Sequence, residues 1–512
     1  MKLSQYQPQL TAEFVANALQ IRTTHLPEIE FSSVTTDSRK VAPGSLFVAL
    51  SGEKWDGNDF IETAIQAGAK GVIYRRGASV SAREKVAFFP VDDTIQAYRR
   101  LAACWRREFS IPVVVVAGSA GKTTTKELLS AILGGKWNAV LKTQGSQNGF
   151  VGIPMTLLEL RSKNQAAVIE IGIDEIGAMA QHMNLIAPTA AVLTAIGPEH
   201  LEKLRDVPTV AQEEGIALSH VAKNKGLVAI ALDDPWIKPH EAILKDGKKI
   251  SFTLGAHSRE IQHSTEAPPS ETLLGQLSSD LRSLTFEGAG LKKTTVALPL
   301  LGRHNASNLL AALAIAAGLG LTTEEIKKGL AQFKGAEGRS EIQELPGPST
   351  VICDYYNAQP ASVQAGIELL NDLSKASRGS PSKAPTHVSA ARWVCLGDML
   401  ELGENEEAFH RELAPQLIRL KIENVLLSGP RMRFLLDELK KLNFLGHAEH
   451  FESQLDLGQA LIQRAKPGDT LLIKGSRGMK MEEVWKVLQA YATSHWTNSH
   501  ESKDSSTHRK ID

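Results

Sequence analysis

Residues 118–124 spell a glycine turn followed by a lysine and two threonines: Gly118, Ser119, Ala120, Gly121, Lys122, Thr123, Thr124. The apolar run IPVVVVA precedes them. After them Leu128, Leu129, Ile132 and Leu133 recur at helical spacing, so the turn joins a buried strand to a helix. That order of elements makes a phosphate cradle. Glycines let backbone N–H groups face phosphate oxygens, and the helix N-terminus adds a positive dipole. In such a cradle Lys122 sits on the β- and γ-phosphates of ATP while the Thr123 hydroxyl ligates Mg²⁺. The segment GSAGKTT is shorter by two residues than the usual GxxxxGK[ST] spacing.

Two further groups fall at strand ends. AAVIEIG puts Glu170 near the end of a buried strand, and AAVLTAIGPEH puts His200 just beyond the end of another. Ligands of open α/β sheets collect at the carboxyl ends of strands, so both residues belong on the side of the phosphate loop. Glu170 is a hard oxygen ligand for Mg²⁺, since an acid between Ile169 and Ile171 is otherwise costly to bury. His200 suits either a second metal or an acyl substrate.

The elements that position these groups alternate along the chain, apolar strands with amphipathic helices, which predicts an α/β fold with largely parallel sheets. A chain of 512 residues is too long for one core, and ~150 residues per domain gives about three. The first unit covers 1–95 and ends in the strand VAFFPVDD; the second, 96–338, holds the phosphate loop and ends in FKGAEGR; the third, 339–495, opens on the strand TVICDYY. Residues 235–295 read as surface strands and loops, SKASRGSPSKAPTHVSA as a solvated loop, and 496–512 as a disordered polar tail.

Composition narrows the function classes. Fifty-seven basic residues balance fifty-seven acidic ones, so no global field draws the protein to nucleic acid or an anionic membrane. No run approaches the ~20 apolar residues of a membrane span, and the start lacks a signal core. Cys104, Cys353 and Cys395 are scattered and odd in number, which points to no disulfide framework or zinc site and favours a reducing cytoplasm.

Taken in order, these segments resemble the Mur ligase family over almost the whole chain. GSAGKTT matches that family's shortened phosphate loop, VIEIG its Mg²⁺ strand with Glu170, IGPEHLE its metal and substrate histidine with His200, and GRHNASNLLAALA the segment whose asparagine, here Asn305, contacts adenine. TTDSRKVAPGSLFVALSGEKWDGNDF is similar to a first domain that grips a UDP-sugar, with Thr36, Asp37, Ser38 and Arg39 at its core. TQGSQNGFVGIPMTLLEL, with Asn148 and Gly152, resembles the branch that adds D-alanyl-D-alanine. So do DYYNAQPASVQAGI, whose Asp354 would reach the ribose, LGDMLELGENEEAFH with His410, and IKGSRGMKMEEV with Lys474, Ser476 and Arg477; the resemblance implies that Asn148, Lys474, Ser476 and Arg477 contact substrate. Arg339 matches the hinge arginine that faces the γ-phosphate. Asp174, Gln147 and Gln359 stand where the family usually has asparagine.

The resemblance implies a monomeric, cytoplasmic carboxylate–amine ligase of peptidoglycan synthesis. Its partners would be ATP, Mg²⁺, UDP-N-acetylmuramoyl-tripeptide and D-alanyl-D-alanine, with an acyl phosphate as intermediate and Lys122, His200 and Arg339 as the catalytic groups. It leaves open whether the third residue of the tripeptide is diaminopimelate or lysine. One departure is informative. In VPTVAQEEGIAL, Glu214 aligns with a lysine that the family carbamylates with CO₂ to hold a second Mg²⁺; a register off by one would make Glu213 the ligand, and Lys223 and Lys225 are other sources of a carbamate. Competing readings are a folyl-polyglutamate synthase, which the UDP-sugar segment disfavours, a phosphate-loop ATPase or kinase, and an inactive binding protein.

Overall fold

The structure, a computed structural model, describes residues 8–22, 26–52, 55–81, 83–255, 271–335, 337–346, 349–378 and 390–496. The expected polar tail from residue 497 onward and most of the Ser/Pro/Lys-rich stretch lie outside the described residues.

Three sheets carry the chain. The first has four parallel strands in chain order, β1 (Val34–Thr35), β2 (Leu46–Val48), β3 (Gly71–Arg75) and β4 (Ala87–Val91). The second is built on β5 (Val113–Ala117), β6 (Val140–Lys142), β7 (Ala166–Glu170), β8 (Ala190–Leu193) and β9 (Leu227–Ala231), and continues through β10 (Lys248–Leu254), β11 (Thr272–Leu277), β12 (Ser283–Gly288) and β13 (Leu291–Ala297). Its nine strands run β13-β12-β11-β10-β9-β8-β5-β7-β6, and only the β11/β12 and β12/β13 pairs are antiparallel. The polar 235–295 region therefore extends this sheet to an antiparallel edge.

The third sheet holds β14 (Glu341–Leu345), β15 (Ser349–Asp354), β16 (Arg392–Gly397), β17 (Asn424–Ser428), β18 (His447–Phe451) and β19 (Thr470–Lys474), ordered β14-β15-β19-β16-β17-β18. All its pairs are parallel except β14/β15.

β5, β7, β8 and β9 are buried throughout, as strands covered by helices on both faces must be. Four consecutive valines make β5 a natural central strand. The helix Thr94–Arg107, capped by Asp93 accepting from the N–H groups of Ile95 (2.8 Å) and Gln96 (3.0 Å), straddles the expected boundary at 95/96. It packs on the helix Ala12–Leu19 and on the helices Gly152–Leu158 and Ala178–Ile186, so the first two units share one continuous core. The third unit keeps its own cores on the two faces of its sheet. The three cysteines are free, with Cys353 and Cys395 buried in strands. Among the described residues no helix is long and apolar enough to cross a membrane.

Candidate active site

β5 ends at Ala117 and the chain turns through Gly118 (φ 115°) and Gly121 (φ 87°) before the helix Lys122–Gly134. Both glycines are forced twice over, by the left-handed backbone and by space. A Cβ on Gly118 would lie 2.7 Å from Thr194 Oγ1, and one on Gly121 would lie 2.3 Å from Asn308 Oδ1. The loop is braced from the end of β8: Ser119 N–H donates to Ala195 O at 2.7 Å, and Ser119 Oγ donates to Gly197 O at 3.0 Å.

Lys122 Nζ donates to Gly118 O and, at 2.8 Å, to Glu199 Oε2. Gly118 N–H donates to Glu214 Oε2 at 2.9 Å. Burial works against the Lys122 charge, yet Glu199, Glu214 and Glu170 around it raise its pKa above the ordinary lysine value. Glu214 is fully buried, and that burial, followed by the neighbouring Glu199 carboxylate, pushes it well above the usual carboxylate range. Oε1 of Glu199 and Oε1 of Glu214 are buried and accept from no N–H or hydroxyl donor, the two carboxyl groups lying against each other. Glu213 faces elsewhere, its Oε2 accepting from Gly177 N–H at 3.0 Å. Lys223, at the far end of the same helix, and Lys225, just beyond it, are both exposed.

On the other flank Thr123 Oγ1 donates to Glu170 Oε2 (2.9 Å) and Asn148 Nδ2 to Glu170 Oε1 (2.9 Å). Fully buried Lys126 stands 3.3 Å from Glu170 Oε2. The third unit closes the opposite wall of a cleft of about 550 Å³. There Lys474 Nζ donates to Asp354 Oδ2 at 2.6 Å, and Arg339 stacks its guanidinium 4.1 Å from the Tyr356 ring centroid. Asn305 lines the cleft from the helix Arg303–Gly318, its Nδ2 donating to Leu301 O at 2.8 Å. Beside it burial pushes His304 down to about 4. A larger cavity of about 1070 Å³ lies between β13 and β14 and touches no phosphate-loop residue.

Other expected residues sit apart. Ser476 Oγ donates to Ala358 O (3.2 Å) and accepts from Leu400 N–H (2.9 Å), bracing loops rather than facing the cleft. Arg477 pairs with Glu482 at 3.2 Å and lies 5.6 Å from the Tyr356 ring centroid, in a neighbouring pocket that Thr123 and Arg339 also line. In the first unit Asp37 accepts from Arg39 Nε and Nη2, both at 2.9 Å, which holds its pKa down at about 2. Thr36, Asp37, Ser38 and Arg39 do not line the cleft.

Three family models match in sequence: "Mur ligase family, catalytic domain" over residues 30–106, "Mur ligase middle domain" over 116–316, and "Mur ligase, glutamate ligase domain" over 338–477. A Bacillus subtilis protein, "UDP-N-acetylmuramoyl-tripeptide--D-alanyl-D-alanine ligase", is 32% identical over 455 residues, 89% of this chain and 92% of its own. The chain belongs to the Mur ligase family. An Escherichia coli protein of the same name is 32% identical over 472 residues, covering 91% of this Mur ligase and 95% of its own chain. In three dimensions MurF from Acinetobacter baumannii superposes with a TM-score of 0.78 at 27% identity, covering 94% of this chain and 99% of that one. The MurF ligase of Thermotoga maritima in complex with ADP gives 0.73 at 25% identity, covering 90% and 98%.

This Mur ligase is thus an ATP-dependent ligase of α/β architecture. Cleft residues such as Glu199, Tyr356 and Asn308, and the buried Lys126 beside Glu170, escaped the sequence reading. Glu199 was visible as the acid just before His200, Lys126 as the lysine one helical turn beyond Lys122, Tyr356 within DYYN, and Asn308 as the residue on the face of Asn305 one turn on. Asp174, one of the departures, pairs with Lys203 at 3.3 Å, while Gln359 leaves a buried Oε1 without a partner.

Among the described residues no three His, Cys, Asp or Glu side chains form a ready metal cage. Mg²⁺ does not require one, because it keeps waters and phosphate oxygens and takes only one or two carboxylates. The Thr123 hydroxyl against Glu170, and the buried carboxyl oxygens of Glu199 and Glu214, are donors of that hard kind.

Proposed function

We propose that this Mur ligase joins the peptide carboxylate of UDP-N-acetylmuramoyl-tripeptide to the amine of D-alanyl-D-alanine at the expense of ATP, as the names of its Bacillus subtilis and Escherichia coli relatives describe for those proteins. The observation that carries the reading is the convergence of Lys122, Glu170 and His200 from the central unit with Arg339, Asp354 and Lys474 from the third, around one phosphate loop. A carboxylate is a poor electrophile because its leaving group would be oxide. Its oxygen therefore attacks the γ-phosphorus of ATP, the bond to ADP breaks, and an acyl phosphate forms. The amine nitrogen then attacks the acyl carbon, phosphate leaves with its electron pair, and the nitrogen gives up a proton to solvent.

Lys122 and Arg339 neutralise charge on the transferring phosphoryl group. Asp354 holds the ribose and Asn305 the adenine, while Thr36, Asp37, Ser38 and Arg39 grip the UDP-sugar. Lys474 and Arg477 serve the peptide side, Ser476 braces the loop that carries them, and Asn148 keeps Glu170 in place. Thr123 and Glu170 would hold one Mg²⁺, with Glu214 and His200 at a second; when bound, such ions supply further charge neutralisation at the phosphates. Glu214 is a carboxylate where the family places a carbamylated lysine, and it points at the loop where Glu213 does not. The cleft between two domains keeps water from the acyl phosphate. Phosphate release from ATP, measured with UDP-N-acetylmuramoyl-tripeptide in the presence and absence of D-alanyl-D-alanine, tests the reading. Turnover is expected only with both substrates, and comparable turnover with ATP alone would overturn it.

A further inference from the structure

The segment LGDMLELGENEEAFH does not line the nucleotide cleft, yet it is held by several hydrogen bonds within the third unit. It leaves β16 at Gly397. Fully buried Asp398 accepts from the backbone N–H groups of Arg431 (3.2 Å) and Met432 (2.9 Å). Met399 N–H donates to His410 Nε2 at 3.1 Å, and His410 Nδ1 lies 2.6 Å from Glu406 O. Together these contacts fix the tautomer with the proton on Nδ1, and burial lowers the His410 pKa, which keeps the ring neutral as that pairing needs. Leu400 N–H donates to Ser476 Oγ at 2.9 Å. Three successive residues are thus tied to three different elements of their own domain.

The next residue crosses to the other domain. Glu401 adopts φ 66°, a left-handed conformation that costs a side-chain-bearing residue about 1–3 kcal/mol and persists only where the surroundings impose it. Its Oε2 lies 3.1 Å from His200 Nδ1. His200 is itself left-handed, at φ 46°. Gly403 then lies flat on the helix Leu201–Leu204; a Cβ there would come 3.1 Å from Glu202 N. Two strained residues therefore face each other across the domain boundary, one carried by a braced loop, with a glycine allowing the close approach.

We propose that this segment is a strut and that Glu401 is a positioning residue for His200. With Nδ1 occupied by the carboxylate, Nε2 is the ring nitrogen left for the cleft, the arrangement in which a carboxylate orients a functional histidine from behind. Because Glu401 belongs to the third unit, His200 is oriented only while the two domains are docked. Closure and assembly of the site are one event. The inference rests on the reading of His200 as a metal- or substrate-binding group.

The test compares full-length wild type with Glu401→Ala, Glu401→Gln, His200→Ala and the double variant Glu401→Ala/His200→Ala. Steady-state phosphate release gives kcat and KM, small-angle scattering with Mg²⁺ and ADP gives domain closure, and a fluorescent ADP analogue gives nucleotide affinity. Glu401→Ala is expected to lower kcat about tenfold or more, and to weaken ADP binding less than Lys122→Ala does, because the phosphate loop is untouched while the opened third unit withdraws Asp354 from the ribose. Its particle should be more extended than wild type with ADP bound. Glu401→Gln should recover most of kcat, since an amide oxygen still accepts from Nδ1, and the double variant should match His200→Ala. Wild-type kcat and closure in Glu401→Ala, with His200→Ala inactive, would overturn the strut and leave the site reading standing. Full activity in His200→Ala would overturn the site reading itself.

Discussion

Replacing Lys122 by alanine tests the phosphate site and its electrostatics together. Lys122 is the cation 2.8 Å from Glu199 Oε2, and it also offsets the charge of buried Glu214. A positioned donor aimed at developing charge is worth about 10²–10³-fold in kcat, roughly 2.7–4 kcal/mol of barrier. Lys122→Ala should lose that much in phosphate release. The fold should survive, since Glu214 can stay protonated instead of standing as an unpaired buried anion. Its folded-state pKa is already raised by burial and by Glu199, and without the lysine it rises further. A carboxyl raised in the folded state binds its proton more tightly there than when unfolded. It therefore contributes stability that is complete below the unfolded pKa and lost as pH rises through the folded one. Thermal unfolding followed upward from the ordinary carboxylate range should show the variant continuing to lose stability with rising pH after wild type has levelled off. Retention of more than about a tenth of kcat, a loss under ~1.4 kcal/mol, would refute the placement of ATP; a pH dependence equal to wild type would refute the electrostatic argument.

Two further outcomes follow from the same geometry. Glu214→Ala should raise the Mg²⁺ concentration needed for half-maximal rate by about tenfold or more and lower kcat, while wild-type activity should be indifferent to removing CO₂ and bicarbonate; activity lost in CO₂-free buffer and restored by bicarbonate would count against a carboxylate substituting for a carbamate. Gly121→Ala places a Cβ 2.3 Å from Asn308 Oδ1 at φ 87°. It should cost about 1–3 kcal/mol of stability in denaturant unfolding and weaken ADP binding, and unchanged ADP affinity would show that the loop need not keep this shape.

How much of this was legible in the sequence depends on how local each feature is. The phosphate loop is contained in one strand, one turn and one helix, so GSAGKTT and its flanks specify it without the rest of the fold. Glu170 was legible because an acid inside an apolar strand has few reasons to be there. Lys126 was not: a lysine in a helix reads as solvated, and only the packing of Glu170 and Glu127 around it reveals a buried cation. The boundary at 95/96 blurred for a related reason. The helix Thr94–Arg107 is amphipathic, but its sequence does not say that its apolar faces touch both neighbouring units.

The choice between Glu213 and Glu214 marks where a one-dimensional reading stops. Adjacent helix positions point about 100° apart, so only one can face the phosphate loop, and the two carboxylates are chemically identical. Both are buried, at 7% and 0% exposure, so burial alone could not decide between them even with the fold in hand. What separates them is the partner, Gly177 N–H for one and Gly118 N–H for the other. The pairing of Asp354 with Lys474 is harder still. These residues stand opposite each other on β15 and β19, 120 positions apart in sequence, because the chain places β19 between β15 and β16. Periodicity gives each strand and its ends but not the order in which strands lie, and in a parallel sheet it is that order which decides which strand-end side chains share a cleft. A site made at strand ends is therefore legible residue by residue before it is legible as a site.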